Sequence, residues 1–239
     1  MRRTDFRLAS IYISCSLVEG AVDGQQAYRA LLTQFGSEYD GESFSLPVPS
    51  EVPVPPEVAT ASLSSKDRTQ TAEFGRGRVA FRWSASDETS PTLPTVATSV
   101  RERLAAFIAP DAIVVSRIGV VVTFFAEVQR PGEAIAEAFV ESKFRSRALD
   151  DIGALEIHVF RMRSLLDRNV ATNHWTRVRS VKSSGNEYDA ITFEQDLNTR
   201  TEDASESRFT IADISGFVSE LDEVVERTFL DYWGDATDE

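Results

Sequence analysis

Residues 113–128, IVVSRIGVVVTFFAEV, decide the fold of this chain. Apolar side chains occupy both alternating sets of positions, the pattern of a strand buried in the middle of a sheet. Gly119 interrupts the run at a point where a bulge can sit. The apolar part, IGVVVTFFAEV, is about half as long as a membrane span. A central strand is therefore expected, and the neighbouring segments supply its partners.

Upstream, RLASIYISCSLV (7–18) is rich in β-branched residues and reads as a first strand. A helix follows from Gly24, with Ala27, Tyr28, Leu31, Leu32 and Phe35 on one stripe and Gly36 as a stop. The next segment, DGESFSLPVPSEVPVPPE, holds five of the nine prolines, which argues for an extended surface connector over 40–56 or a docking peptide. From Ala72 to Ser84, Val79, Phe81 and Trp83 alternate with Arg78, Arg82 and Ser84, as in a half-buried strand. A second helix is expected over Thr95–Ala109, ended by Pro110.

Downstream, Pro131 suits the first position of a third helix, with Ile135, Ala138 and Phe139 inward. Three further strands follow: LEIHVFRMRSL (155–165), HWTRVRSVK (174–182) and YDAITFEQDL (188–197), the last two joined by a tight turn at SSGNE. NTRTEDASESR (198–208) reads as a polar loop. The chain then shows one long apolar stripe, Ile214, Phe217, Val218, Leu221, Val224, Val225, Phe229 and Tyr232, at helical spacing. Thr210 and Asp213 form a capping pair before it, and Gly234 ends it.

The expected fold is α+β: antiparallel strands with helices on one face. Counting the weak segment EVATASLSS (57–65), the first half has the order of a ferredoxin-like (split βαβ) unit. The expected division is 1–130 for that unit and 131–239 for a helix, three antiparallel strands and the long helix. The two are expected to pack as one body, and no internal sequence repeat is evident.

RVAFRWSA (78–85), RLAAFIAP (103–110), SRIGVVVTFF (116–125), AITFEQDL (190–197) and FVSELDEVVERTFLDYW (217–233) occur in an order that resembles a sporadically distributed family of uncharacterised bacterial proteins of about this length. That family carries an Arg-Ile-Gly strand motif and a long aromatic C-terminal helix. The likeness runs from Glu73 to Gly234. It brings no catalytic residues with it, and the first 70 residues match poorly. The family's patchy occurrence resembles that of mobile defence or toxin–immunity genes, which implies a bacterial defence setting.

The chain has 239 residues and a formal net charge of −13, a field that repels nucleic acid and anionic membranes. Its single cysteine, Cys15, sits in an apolar run and reads as buried. No stretch has the form of a signal peptide, so a cytoplasmic location is expected. Walker A, GxGxxG, CxxC and HExxH motifs are missing from the sequence, and no cofactor or metal is expected. Gly75-Arg-Gly77 reads as a turn or bulge.

Charge is segregated. Between 155 and 182 lie Arg161, Arg163, Arg168, Arg177, Arg179 and Lys182 against Glu156 and Asp167, whereas 220–239 carries eight acidic side chains against Arg227. Arg161 and Arg163 share a strand face, as do Arg177 and Arg179. If the strands pair, the four guanidinium groups are expected on one side with His158 and His174 near them. Such a patch would bind a carboxylate- or phosphate-bearing partner. The other reading is a solvated face salt-bridged to the acidic terminal helix. Two functions follow: a non-catalytic interaction protein (immunity, accessory or scaffold component) with a protein partner, or an enzyme or binding domain for a phosphorylated or nucleotide-like small molecule.

Overall fold

The computed structural model describes the whole chain except residues 19–22, 47, 49–51, 53, 56–57, 87–89, 111, 114, 143, 146–148, 150–151, 167–169, 184–187, 201–208 and 234–239. The expected SSGNE turn, most of the 198–208 loop, much of the proline-rich connector, Arg168 and the helix stop at Gly234 fall wholly or partly outside the described residues.

Nine strands form one antiparallel sheet: β1 (Arg7–Leu17), β2 (Ser43–Ser45), β3 (Ala61–Ser64), β4 (Gln70–Phe74), β5 (Arg78–Ser84), β6 (Val115–Glu127), β7 (Glu156–Leu165), β8 (Val170–Val181) and β9 (Ala190–Thr199). Their order is β2-β3-β4-β5-β1-β6-β9-β8-β7. The helices that accompany them include α1 (Gly24–Phe35), α2 (Leu93–Ala105), α3 (Pro131–Phe139) and α4 (Ile211–Trp233). The α+β class, the antiparallel sheet and the long last helix match the sequence reading.

The strand-by-strand reading of the first half needs correction. The segment read as one strand over Ala72–Ser84 is a hairpin, β4 and β5, turning at Gly75–Gly77, where the Gly75 N–H donates to Arg78 O at 2.8 Å. Ser43–Ser45 is a strand inside the stretch read as irregular. Four strands therefore lie between α1 and α2 where two were expected, and β5 lies antiparallel between β4 and β1. In connectivity the chain runs strand, helix, strands, helix twice, and the first strands of the two runs, β1 and β6, pair at the centre.

The central strand is β6, as expected, but Gly119 is no bulge. It pairs in register with Ser14 and Asn198, and the shifts lie at Leu8/Ser10 and Ser16/Leu17. Ile118, Val120, Val122, Phe124 and Ala126 are buried, while Gly119, Val121, Thr123 and Phe125 look to the other side. Ile11, Ile13 and Cys15 of β1 stand beside Val122, Val120 and Ile118, and beside Trp83, Phe81 and Val79 of β5. The helices cover this apolar face.

The α4 helix opens with the expected cap: Thr210 N–H donates to Asp213 Oδ2 at 2.8 Å, and Asp213 N–H to Thr210 Oγ1 at 3.2 Å. Its far end buries Phe229, whose ring lies 4.6 Å from Phe124 and 4.3 Å from Phe193, with Phe6 and Trp233 closing the cluster. Burying each such ring contributes about 2–3 kcal/mol. Cys15 is fully buried, and burial pushes its thiol up to about 12. No helix among the described residues is long and apolar enough to cross a membrane.

One charged side chain is built into the covered side. Arg103 of α2 is 2% exposed and donates from Nε to Tyr39 Oη at 2.9 Å and from Nη2 to Glu38 Oε2 at 2.6 Å and Gln70 Oε1 at 2.8 Å. Its Nη1 bonds Ser99, and the rings of Phe35, Tyr39 and Trp83 surround the guanidinium. The group is saturated and clamps the Phe35–Tyr39 turn onto α2 and β4.

Candidate functional site on the two faces of the outer strands

Strands β7 and β8 carry His158, Arg161, Arg163, His174, Arg177 and Arg179, and their register separates those residues. Arg161 stands opposite His174 and Arg163 opposite Thr172, whereas His158 stands opposite Arg177 and Glu156 opposite Arg179. Opposed residues of an antiparallel pair point to one side. Thus Arg161, Arg163 and His174 look toward the helices, and His158, Arg177 and Arg179 look to the opposite face, which is helix-free among the described residues. The expected co-facial patch of four arginines and two histidines is not formed. The physical reason is a registry of odd sum across the β7–β8 pair, which joins odd positions of one strand to even positions of the other.

On the helix-free face Arg177 and Arg179 are matched by carboxylates. Arg177 bonds Glu194 and reaches Asp196 Oδ2 at 3.2 Å, while Arg179 Nη2 lies 3.3 Å from Glu194 Oε2. Burial alone would lower the Arg177 pKa; bonds to Glu194 and the Asp196 charge outweigh it and raise it. His158 Nε2 lies 2.7 Å from Glu156 Oε1, and that bond holds the Glu156 carboxyl below its usual range. Arg78 and Glu73 form a further pair at 3.2 Å. Beside this charged lattice sits an apolar island. Phe160 stacks on Trp175 at 4.7 Å, and Phe160 and Met162 are 46% and 68% exposed.

On the helix side, Arg161 donates to Asp231 Oδ2 at 3.1 Å and Tyr232 Oη at 3.0 Å, so the salt bridge to the acidic terminal helix is real for this residue. Arg163 is arranged differently. Its Nε donates to His174 Nδ1 at 2.9 Å, and among the described residues no carboxylate lies within ion-pair distance of it. A guanidinium only donates, so His174 Nδ1 is the acceptor and its Nε2–H donates to Gln195 Oε1 at 3.1 Å. Gln195 Nε2 then donates to Val225 O on α4 at 3.2 Å. Burial, followed by the Arg163 charge, lowers the His174 pKa to about 4, which keeps the ring neutral. Burial and the neighbouring Arg161 charge lower the Arg163 pKa as well.

Sequence reasoning missed the Phe160–Trp175–Met162 island. The signal was available in FRMR, where apolar and cationic residues alternate over four positions. Elsewhere a depression of about 1230 Å³ at the end of β6 is lined by Arg7, Phe125, Glu127, Arg130, Glu133 and Tyr188. Within it Arg7 pairs with Glu127 and Arg130 with Glu133. Among the described residues no group of three or more His, Cys, Asp or Glu is placed to hold a metal.

No protein-family model matches the chain, and no curated protein does. Among solved structures it is similar to Methanococcus jannaschii TBP, at 10% identity over 90% of this chain and 98% of that one, with a TM-score of 0.31. A likeness at that score carries no argument about fold or function.

Proposed function

We propose that this chain is a non-catalytic interaction protein, an immunity, accessory or scaffold component, that presents the outer part of its sheet to a protein partner. The observation that carries the reading is the exposed Phe160–Met162 island on a helix-free face, rimmed by ion pairs already formed within the sheet. An apolar centre with a polar, internally satisfied rim is how protein interfaces are built. Prearranged ion pairs also lower the cost of ordering side chains on docking. The resemblance of residues 73–234 to a sporadically distributed bacterial family supports a defence-type setting for such a partner.

The alternative, a site for a phosphorylated or nucleotide-like small molecule, needs several guanidinium groups converging on one pocket. The four candidates point to two faces, and Arg161, Arg177 and Arg179 already hold carboxylates. The test is co-purification from lysate of the source organism, with wild type and the Phe160→Asp/Met162→Asp variant as baits. A stoichiometric protein held by wild type and lost by the variant is expected. Equal retention by both, or no partner, overturns the reading. So does stabilisation by a nucleotide or phosphometabolite, which at about 100 times its Kd adds nearly 3 kcal/mol.

A further inference from the structure

β7 is the last strand of the sheet, ten residues long, and among the described residues its outer side has no partner strand. Among the described residues, no backbone hydrogen bond joins residues 156–164 to anything but β8. Exposed edges of this length are normally guarded by proline, lysine, a bulge or a charge projecting past the strand. β7 contains no proline or lysine and pairs without a register shift. Its two arginines are drawn back, Arg161 onto Asp231 and Tyr232 and Arg163 onto His174. No described residue pairs with this edge, which has Phe160 and Met162 on one side of it and Arg163 on the other.

We propose that β7 is a docking edge for an extended segment of a partner protein in which apolar and acidic residues alternate. The segment adds to the sheet as a further strand. Its apolar side chains cover Phe160 and Met162, and a carboxylate meets the terminal Nη pair of Arg163. This rests on the interaction-protein reading and names the chemistry of the partner.

The acid follows from the state of Arg163. The relay from Arg163 through His174 and Gln195 to Val225 O fixes the guanidinium by its Nε. Its two terminal nitrogens have no partner among the described residues and form a planar fork suited to a carboxylate. His174 cannot supply the counter-charge, because it is neutral. The β7 strand of a second copy does not supply it either. A twofold axis perpendicular to the sheet keeps each face on its own side, and on the Arg163 side β7 presents Ile157, Val159, Arg161 and Arg163 with no carboxylate. Self-pairing centred on Arg161 or Met162 would set guanidinium against guanidinium. Glu156 lies on the opposite face.

The probe is a fluorescein-labelled peptide of alternating valine and glutamate with serine ends, titrated into the full chain by fluorescence anisotropy. About 0.15 M salt screens the net −13 charge beyond roughly 8 Å. Saturable binding is expected, with slowed amide exchange over 156–165. Glutamine in place of glutamate should weaken it about tenfold. Methylating the peptide's alternate amide nitrogens should abolish it. Arg163→Gln should bind both peptides alike, at the affinity of wild type for the glutamine peptide. The proposal is overturned if wild type binds the two peptides equally, if the N-methylated peptide binds as well, or if nothing saturates by about 1 mM. Those failures leave the Phe160→Asp/Met162→Asp co-purification result standing, so the two readings fail separately.

Discussion

Acidifying the protein from pH 7 to 4 should cost it about 3 kcal/mol of stability through His174 alone. The imidazole is buried, faces the Arg163 guanidinium through Nδ1 and has its Nε2–H committed to Gln195. Its pKa falls from 6.5 to about 4 on folding. The unfolded chain therefore takes up the proton first, and unfolding becomes more favourable as pH falls below about 6.5. The effect is complete near the folded value. Each pH unit in that window is worth up to about 1.4 kcal/mol, so 2.5 units amount to roughly 3 kcal/mol, a large part of a typical 5–15 kcal/mol. The assay is urea unfolding at half-unit steps from pH 7 to 4, on wild type and on His174→Gln. Both proteins should carry His158→Gln, which leaves position 174 as the one place where an imidazole differs between them. Carboxylate contributions common to the pair cancel in the difference. The wild-type advantage over His174→Gln should shrink by about 3 kcal/mol across the window. A difference that stays flat, or an imidazole resonance titrating near 6.5, refutes the relay and with it the fixed geometry of Arg163.

Three other perturbations have expected outcomes. Arg103→Met strips Tyr39, Gln70 and Glu38 of their shared donor and should cost about 3 kcal/mol in urea unfolding; Arg103→Lys should recover less than half, because a point charge cannot serve three acceptors at fork geometry. Phe229→Ala opens a void among Phe6, Phe124, Phe193 and Trp233 and should cost about 3–5 kcal/mol by the same assay. Cys15, fully buried with its thiol pushed up to about 12, should resist a thiol reagent at pH 8 in the native protein and react only at the rate of global opening under urea.

The elements were legible in the sequence where one physical signal dominated. The 3.6-residue stripe and Thr210–Asp213 cap gave α4, the two-sided apolar run gave β6, and the alternation of Val79, Phe81 and Trp83 gave the buried side of β5. Signals failed where backbone bonding outweighed composition. β4 carries Gln70, Thr71 and Glu73 and shows little alternation, yet it is held between β3 and β5 by ladder bonds. β2 is three residues with all side chains exposed, so no hydrophobic pattern could announce it. Within the candidate site, the sharing of a face by Arg161 and Arg163, and by Arg177 and Arg179, was legible because it depends on one strand alone.

The relation between those two pairs depends on the hairpin joining them. Leu165 pairs with Val170, so four residues lie between the last partners. An even number there forces the opposed positions to sum to an odd number, and residues of like parity on the two strands then face opposite ways. A loop of three or five residues would have gathered all four arginines on one side. Reading β8 from His174 left out Val170–Asn173 and hid that count. The same parity sets His174 directly opposite Arg161, on the side where Gln195 Oε1 accepts from its ring and Gln195 Nε2 in turn donates to Val225 O. One turn length thus dissolves a four-arginine patch and, by the same step, leaves one arginine locked by a neutral histidine at an unguarded edge.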